Sequence, residues 1–238
     1  MSNISYREII NRCHSNKKED YKFYYYHRFL SLPMTKLFYK YSVKADTISI
    51  WMILLSIISF LFMLSEDISM FWIGFFLSFM AFLFDKIDGD LARLYGIDNI
   101  KGAVYDFVYH RFSLFLFYLG IGIHFSDESG YLIIMAGSAG FIANYIEEMQ
   151  LLSYRIFADK YLIKKENINI VKHIDYSEPI YLKALKAFRM QLFLYYYFIF
   201  GIILNSYFHN TVYVFMLISL IGMVTYSIAQ LYMLMRYS

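Results

Sequence analysis

Apolar runs of about 20 residues, each long enough to cross a ~30 Å bilayer core as a helix, recur along this chain. They lie at roughly 46–65, 69–92, 102–125, 130–152, 188–208 and 211–234. In lipid the backbone N–H and C=O groups of a spanning segment must be satisfied internally, which a helix achieves. The expected fold is therefore all-α and integral to a membrane, with six transmembrane helices. Composition agrees, since 59% of the 238 residues are hydrophobic and only 17% are charged, an apolar excess that soluble domains rarely carry. Runs two and three contain charges, yet a helical hairpin accounts for them better than two buried soluble helices. The single cysteine, Cys13, excludes an internal disulfide framework and a thiolate zinc cluster.

Basic residues alternate along the chain in register with these runs. They are dense before the first, from Arg7 to Lys44, and return between the second and third as Lys86, Arg93 and Lys101. They return again between the fourth and fifth, from Arg155 to Lys186. The other links hold Glu66 and Asp67, Asp127 and Glu128, and His209 and Asn210, without lysine or arginine. This pattern predicts a multi-pass protein of the plasma (inner) membrane with both termini and the two basic links in the cytoplasm. The net charge of +3 then reflects a membrane surface, and no nucleic acid is expected as a partner. The first residues show no secretory signal pattern. Residues 1–45 form the expected first segment, cytoplasmic and interfacial. There basic residues interleave with the aromatic run from Tyr21 to Arg28, which suits an amphipathic helix at headgroup level among membrane lipids. A second mixed-charge segment, 156–187, is broken at Pro179. Residues 46–238 are expected to form one membrane domain, without internal repeats.

Chemistry concentrates in the stretch Asp85, Lys86, Ile87, Asp88, Gly89, Asp90, Leu91, Ala92, Arg93, followed by Gly102, Asp106 and His110. Asp85 and Asp88 are three apart and Asp106 and His110 four apart, so each pair shares a helix face. A turn near Gly96–Asn99 folds the two helices antiparallel, pairing Asp85 with His110 and Asp88 with Asp106 at matched depths. Ionisable groups at a membrane boundary are costly and usually face a functional cavity. Clustered carboxylates repel unless a cation offsets them, and hard oxygen ligands favour Mg²⁺, Mn²⁺ or Ca²⁺. Gly89 and Ala92 remove bulk beside the cluster, and Arg93 offers a planar fork for a phosphate. The pattern suggests diphosphate chemistry. A small transporter would instead line a path across the membrane, whereas these charges gather at one end.

At these spacings the chain resembles the CDP-alcohol phosphatidyltransferase family, whose signature reads D-x2-D-G-x2-A-R-x8-G-x3-D-x3-D. Asp85, Asp88, Gly89, Ala92, Arg93, Gly102 and Asp106 fall on it. The stretch from Arg28 to Ser31 and the entry Asp46-Thr47-Ile48 also look similar to the family's opening. The resemblance implies a six-helix fold, often a homodimer, with a polar cavity open to the cytoplasm. It implies that Asp85, Asp88 and Asp106 hold Mg²⁺ or Mn²⁺ against the diphosphate, and that the CDP moiety packs near Gly89, Ala92 and Arg93, with Asp88 contributing. The donor is then a CDP-alcohol or CDP-diacylglycerol, the acceptor an alcohol or lipid, and one product CMP.

The fourth aspartate of the signature is His110 here. Three readings follow: His110 is the general base that takes the acceptor's proton alongside Asp106; it is a further metal ligand; or the site binds CDP lipids without transferring. On the last reading the protein is a non-catalytic CDP-lipid-binding or scaffold protein. Elsewhere, Asn144 and Glu148 are candidate acceptor contacts, with Glu147, Gln150 and Arg155 as polar neighbours. His27, His173 and His209 are expected in solvent and His124 at the outer boundary. Tyr195, Tyr196, Tyr197 and Phe198 are expected to be lipid-facing belt and packing.

Overall fold

The structure, a computed structural model, describes residues 4–14, 22–96, 100–145 and 191–237. They form α1 (Tyr6–His14), α2 (Lys22–Lys40), α3 (Ala45–Met63), α4 (Ile68–Tyr95), α5 (Ile100–His124), α6 (Tyr131–Tyr145), α7 (Gln191–Asn205) and α8 (Thr211–Tyr237). No strand occurs among the described residues. Among the described residues, three helices are long and apolar enough to cross a membrane: α3, α4 and the Thr211–Ala229 part of α8. Trp51, Leu54 and Leu61 on α3, Phe76 on α4, and Leu217, Ile221 and Ile228 on α8 are all exposed. Apolar surface on that scale belongs in lipid, and the chain is an integral membrane protein. The apolar run of α5 is interrupted by Asp106, His110 and Arg111, while α6 and α7 are shorter in their described extents. The expected end of the fourth run (146–152), the start of the fifth (188–190) and the segment 156–187 with His173 and Pro179 lie outside the described residues.

The chain divides into two units, Met1–Gly120 and Ile121–Ser238. In the first, the turn after α3 carries Asp67, whose Oδ1 accepts the Ser69 N–H at 2.8 Å and caps α4. The buried face of α3 runs Ala45, Ser49, Met52, Ser56, Ser59, Met63, a three-and-four spacing of mostly small residues that lets helices approach closely. The approach is closest at Gly74. Its carbonyl accepts from Ser59 Oγ at 2.7 Å, and a Cβ there would stand 2.6 Å from the Ser59 carbonyl oxygen. Ala45, Ile48, Ile87 and Leu91 form a buried cluster that Met34 and Phe38 of α2 complete.

The N-terminal segment, expected as one interfacial element, is two helices. The apolar face of α1 packs on protein, with Ile9 and Cys13, and Ile4 just before the helix, buried against Leu32 of α2 and Leu94 of α4. Phe29, Leu30 and Leu37 of α2 stay exposed. The side chains of 21–28, His27 among them, lie outside the described set. Helix α4 stops at Gly96, whose φ of 64° is left-handed, a conformation glycine adopts at least cost. The expected turn begins there, and 97–99 lie outside the described residues.

In the second unit, Asp127 follows α5. Hydrogen bonds from Ser129 and from the Tyr213 hydroxyl hold its carboxyl below the usual carboxylate range. The His124 ring meets Phe125 edge to face at 4.7 Å, and His209 is exposed. Tyr197 donates its hydroxyl to the Phe215 carbonyl at 2.7 Å, tying α7 to α8. Tyr195 and Phe198 are buried and Tyr196 is exposed, so this aromatic run is mainly packing.

Candidate functional site

Two helices supply the site. Asp85, Asp88, Gly89, Ala92 and Arg93 occupy the last three turns of α4; Asp106 and His110 occupy the early turns of α5. The left-handed cap at Gly96 ends α4 just beyond them. His110 Nε2 lies 3.4 Å from Asp85 Oδ1 and 3.3 Å from Asp106 Oδ1. One donor atom from each of Asp85, Asp106 and His110 lies within 4.8 Å of the others. Asp85 is buried and Asp106 exposed, so the trio runs from the protein interior to an open side.

Asp85 is engaged at both oxygens. Oδ1 faces His110, and Oδ2 accepts from the ammonium of Lys86, whose Nζ also lies 5.1 Å from the centre of the Phe82 ring. Asp88 turns elsewhere. Its Oδ2 accepts from Ser49 Oγ of α3 at 2.8 Å, while it still feels the charges of Asp85 and Asp106. The converging trio is thus Asp85, Asp106 and His110, with Asp88 beside it rather than in it. Three carboxylates face one ammonium and one imidazole, an excess of negative charge that a bound cation would offset.

These residues fit a divalent cation of the magnesium or manganese class. Ligands at about 2.1 Å from one ion lie roughly 3 Å apart at right angles. The observed 3.3 and 3.4 Å pairs need little closure to reach that spacing. The two carboxylates are hard oxygen donors of the kind that suit Mg²⁺ and Mn²⁺, and the imidazole is a borderline donor beside them.

Arg93 is held from within α4. Its Nη2 lies 2.6 Å from Oδ1 of Asp90, whose side chain is only 2% exposed. The guanidinium lies over Gly89, where an added Cβ would meet its nitrogens at 3.4 Å. Ala92 packs against the Ala45, Ile48, Ile87 and Leu91 cluster. Ser49, Lys86 and Asp90 thus join the site in contacts that the signature does not specify. The i,i+3 spacing of Asp90 and Arg93 was readable. Ser49 was signalled by its place in the serine spacing of an otherwise apolar run. Of the candidate acceptor contacts, Asn144 is half-buried on α6; Glu148, with Glu147, Gln150 and Arg155, lies outside the described residues.

The chain is similar to an uncharacterized protein of Aquifex aeolicus (strain VF5), at 31% identity over 112 residues. The match takes in 46% of this chain and 55% of that protein, so the chain spans little more than half of the relative's length. A family model, CDP-alcohol phosphatidyltransferase, matches residues 43–226. That span includes α3, α4 and α5 and with them every residue of the cluster, and the chain belongs to the CDP-alcohol phosphatidyltransferase family.

Proposed function

We propose that this membrane protein, from a family of transferases, is a metal-dependent enzyme acting on CDP-linked donors. It moves a phosphoalcohol group from a CDP-alcohol, or a phosphatidyl group from CDP-diacylglycerol, to an acceptor hydroxyl, in phospholipid or related phosphodiester synthesis. The observation that carries the reading is the convergence of Asp85, Asp106 and His110 within 4.8 Å, two turns from the guanidinium resting on Gly89.

Asp85 and Asp106, with Asp88 adjacent and with His110 where it is not the base, would hold Mg²⁺ or Mn²⁺. Such a cation supplies positive charge to the donor's diphosphate. Arg93 orients a phosphate through the donors that Asp90 leaves available, and Gly89 lets the nucleotide approach the backbone. The acceptor oxygen bonds to phosphorus as the bond to CMP breaks, and the hydroxyl proton passes to the Asp106–His110 pair. His110 Nε2, set between two carboxylate oxygens, either accepts that proton or binds the cation, so it cannot be ligand and base through that atom at once. Asp106, on the open side, is the better placed of the two to receive a proton first.

Six spans, an interfacial 1–45 segment, cytoplasmic termini and site, an inner-membrane location and a homodimer complete the proposal. They are supported by the charge alternation and by the family match over residues 43–226. The second reading, a CDP-lipid-binding protein without turnover, is favoured by the imidazole at the signature's last position.

CMP release from purified protein with Mn²⁺ or Mg²⁺, measured over CDP-alcohols and CDP-diacylglycerol, tests the reading. No CMP together with metal-dependent CDP binding selects the second; neither rejects both. His110→Ala is expected to cut transfer at least about a hundredfold. Retained CDP binding then marks His110 as proton carrier, and lost binding marks it as ligand. Appearance of turnover only in His110→Asp would identify a disabled site.

A further inference from the structure

Asp90 stands at a position the family signature leaves unspecified, yet it is among the most deeply buried carboxylates described. The residue is 1% exposed, whereas the side chain of its partner Arg93 is 34% exposed. A carboxylate hidden to that degree is costly unless paired, and the pair at 2.6 Å is short and charge-assisted. The exposed half is the arginine. Gly89 supplies a floor without a side chain, with the guanidinium nitrogens 3.4 Å above the place of its missing Cβ. Helix α1 lies against the same turn, where the Cys13 thiol reaches the Asp90 carbonyl at 3.5 Å and Ile9 packs in one cluster with Leu94. A buried anion and a glycine floor hold the guanidinium from two sides, with one edge committed inward.

We infer that Asp90 is a positioning residue, which fixes the Arg93 guanidinium over Gly89 as a preset seat for a phosphate of the CDP-linked donor. The inference rests on the reading of Arg93 as a phosphate-binding group. Asp90 does not touch the donor. It acts by removing the rotamer freedom that an unrestrained arginine would lose on binding.

The test is CDP binding by calorimetry in detergent, with Mn²⁺ present, for the full chain and for Asp90→Asn, Asp90→Glu, Arg93→Gln and the Asp90→Asn/Arg93→Gln double variant. Asp90→Asn is expected to weaken CDP binding roughly tenfold, the scale of one charge-assisted hydrogen bond. Arg93→Gln is expected to weaken it at least as much, and the double variant to bind no worse than Arg93→Gln alone. Asp90→Glu, which keeps the charge, recovers part of the loss and covers the case in which Asp90→Asn fails to fold. Equal losses from Asp90→Asn with and without Arg93 would overturn the inference, as would unchanged CDP binding in Asp90→Asn. A wild-type protein that binds no CDP defeats the reading of the site and this inference together. Wild-type binding with an indifferent Asp90 defeats this inference alone.

Discussion

Asp85 has two oxygens and two suitors within its own chain, the Lys86 ammonium and the His110 imidazole. A divalent cation drawn to Asp85 must therefore compete with an internal one. At the effective dielectric of a protein edge, two unit charges about 4 Å apart interact by roughly 4 kcal/mol, so even when screening leaves about a third of that the competition is worth about tenfold in affinity. Lys86→Met is expected to bind Mn²⁺ at least about tenfold more tightly, read by the loss of free Mn²⁺ signal in electron paramagnetic resonance. The same variant is expected to melt lower than wild type in chelator, because the carboxylates then lose their only adjacent ammonium among the described residues. Unchanged Mn²⁺ affinity would show that Lys86 does not guard Asp85. At this scale the spacing of Asp85, Asp88, Asp106 and His110 was legible because helical periodicity alone brings such residues to one face. The turn of Asp88 toward Ser49 was not legible. A contact across 39 positions depends on how α3 slides along α4, which no local pattern records.

That register is set by close contacts between elements, and two glycines of α4 separate its packing role from its site role. Gly74 faces the Ser59 carbonyl and the Met63 backbone at 2.6 and 2.8 Å from where a Cβ would sit. These are backbone atoms that cannot swing aside. Gly74→Ala is expected to push α3 and α4 apart and cost about 1–3 kcal/mol, seen as a lower melting temperature in detergent. At Gly89→Ala the nearest atoms are those of the Arg93 guanidinium, at 3.4 Å. Its melting temperature is expected to stay within a few degrees of wild type while CDP binding weakens several-fold. Exchange of the two phenotypes would refute the assignment of Gly74 to packing and Gly89 to the site. The long apolar helices were readable from hydropathy, since nothing else explains such runs. The role of α1 was not, because a nine-residue amphipathic helix looks alike in sequence whether its apolar face meets lipid or, as here, Leu32 and Leu94.

For the whole molecule, the number of crossing helices and the depth of the site are linked. At 1.5 Å per residue, the rise from Lys101 to His124 along α5 is roughly 35 Å, enough to cross a ~30 Å core despite its polar start. Measured from the ends that meet near Gly96, Asp85 lies about 15 Å along α4 and His110 about 14 Å along α5, which is why these two side chains find each other. A six-span chain with a cytoplasmic N-terminus carries the 125–130 turn outside and the C-terminus inside. A chain crossing only with α3, α4 and α8 reverses both. With Cys13→Ser as background, Glu128→Cys on the exposed turn is expected to react with a membrane-impermeant maleimide in intact cells. Lys101→Cys and Ser238→Cys are expected to react only after permeabilisation. Labelling of Ser238→Cys but not Glu128→Cys in intact cells would reduce the crossings to three. The hydroxyl-bearing acceptor would then have to reach His110 past a helix lying along the membrane surface, rather than beside two crossing helices that carry Asp85 and His110 about equally far from Gly96.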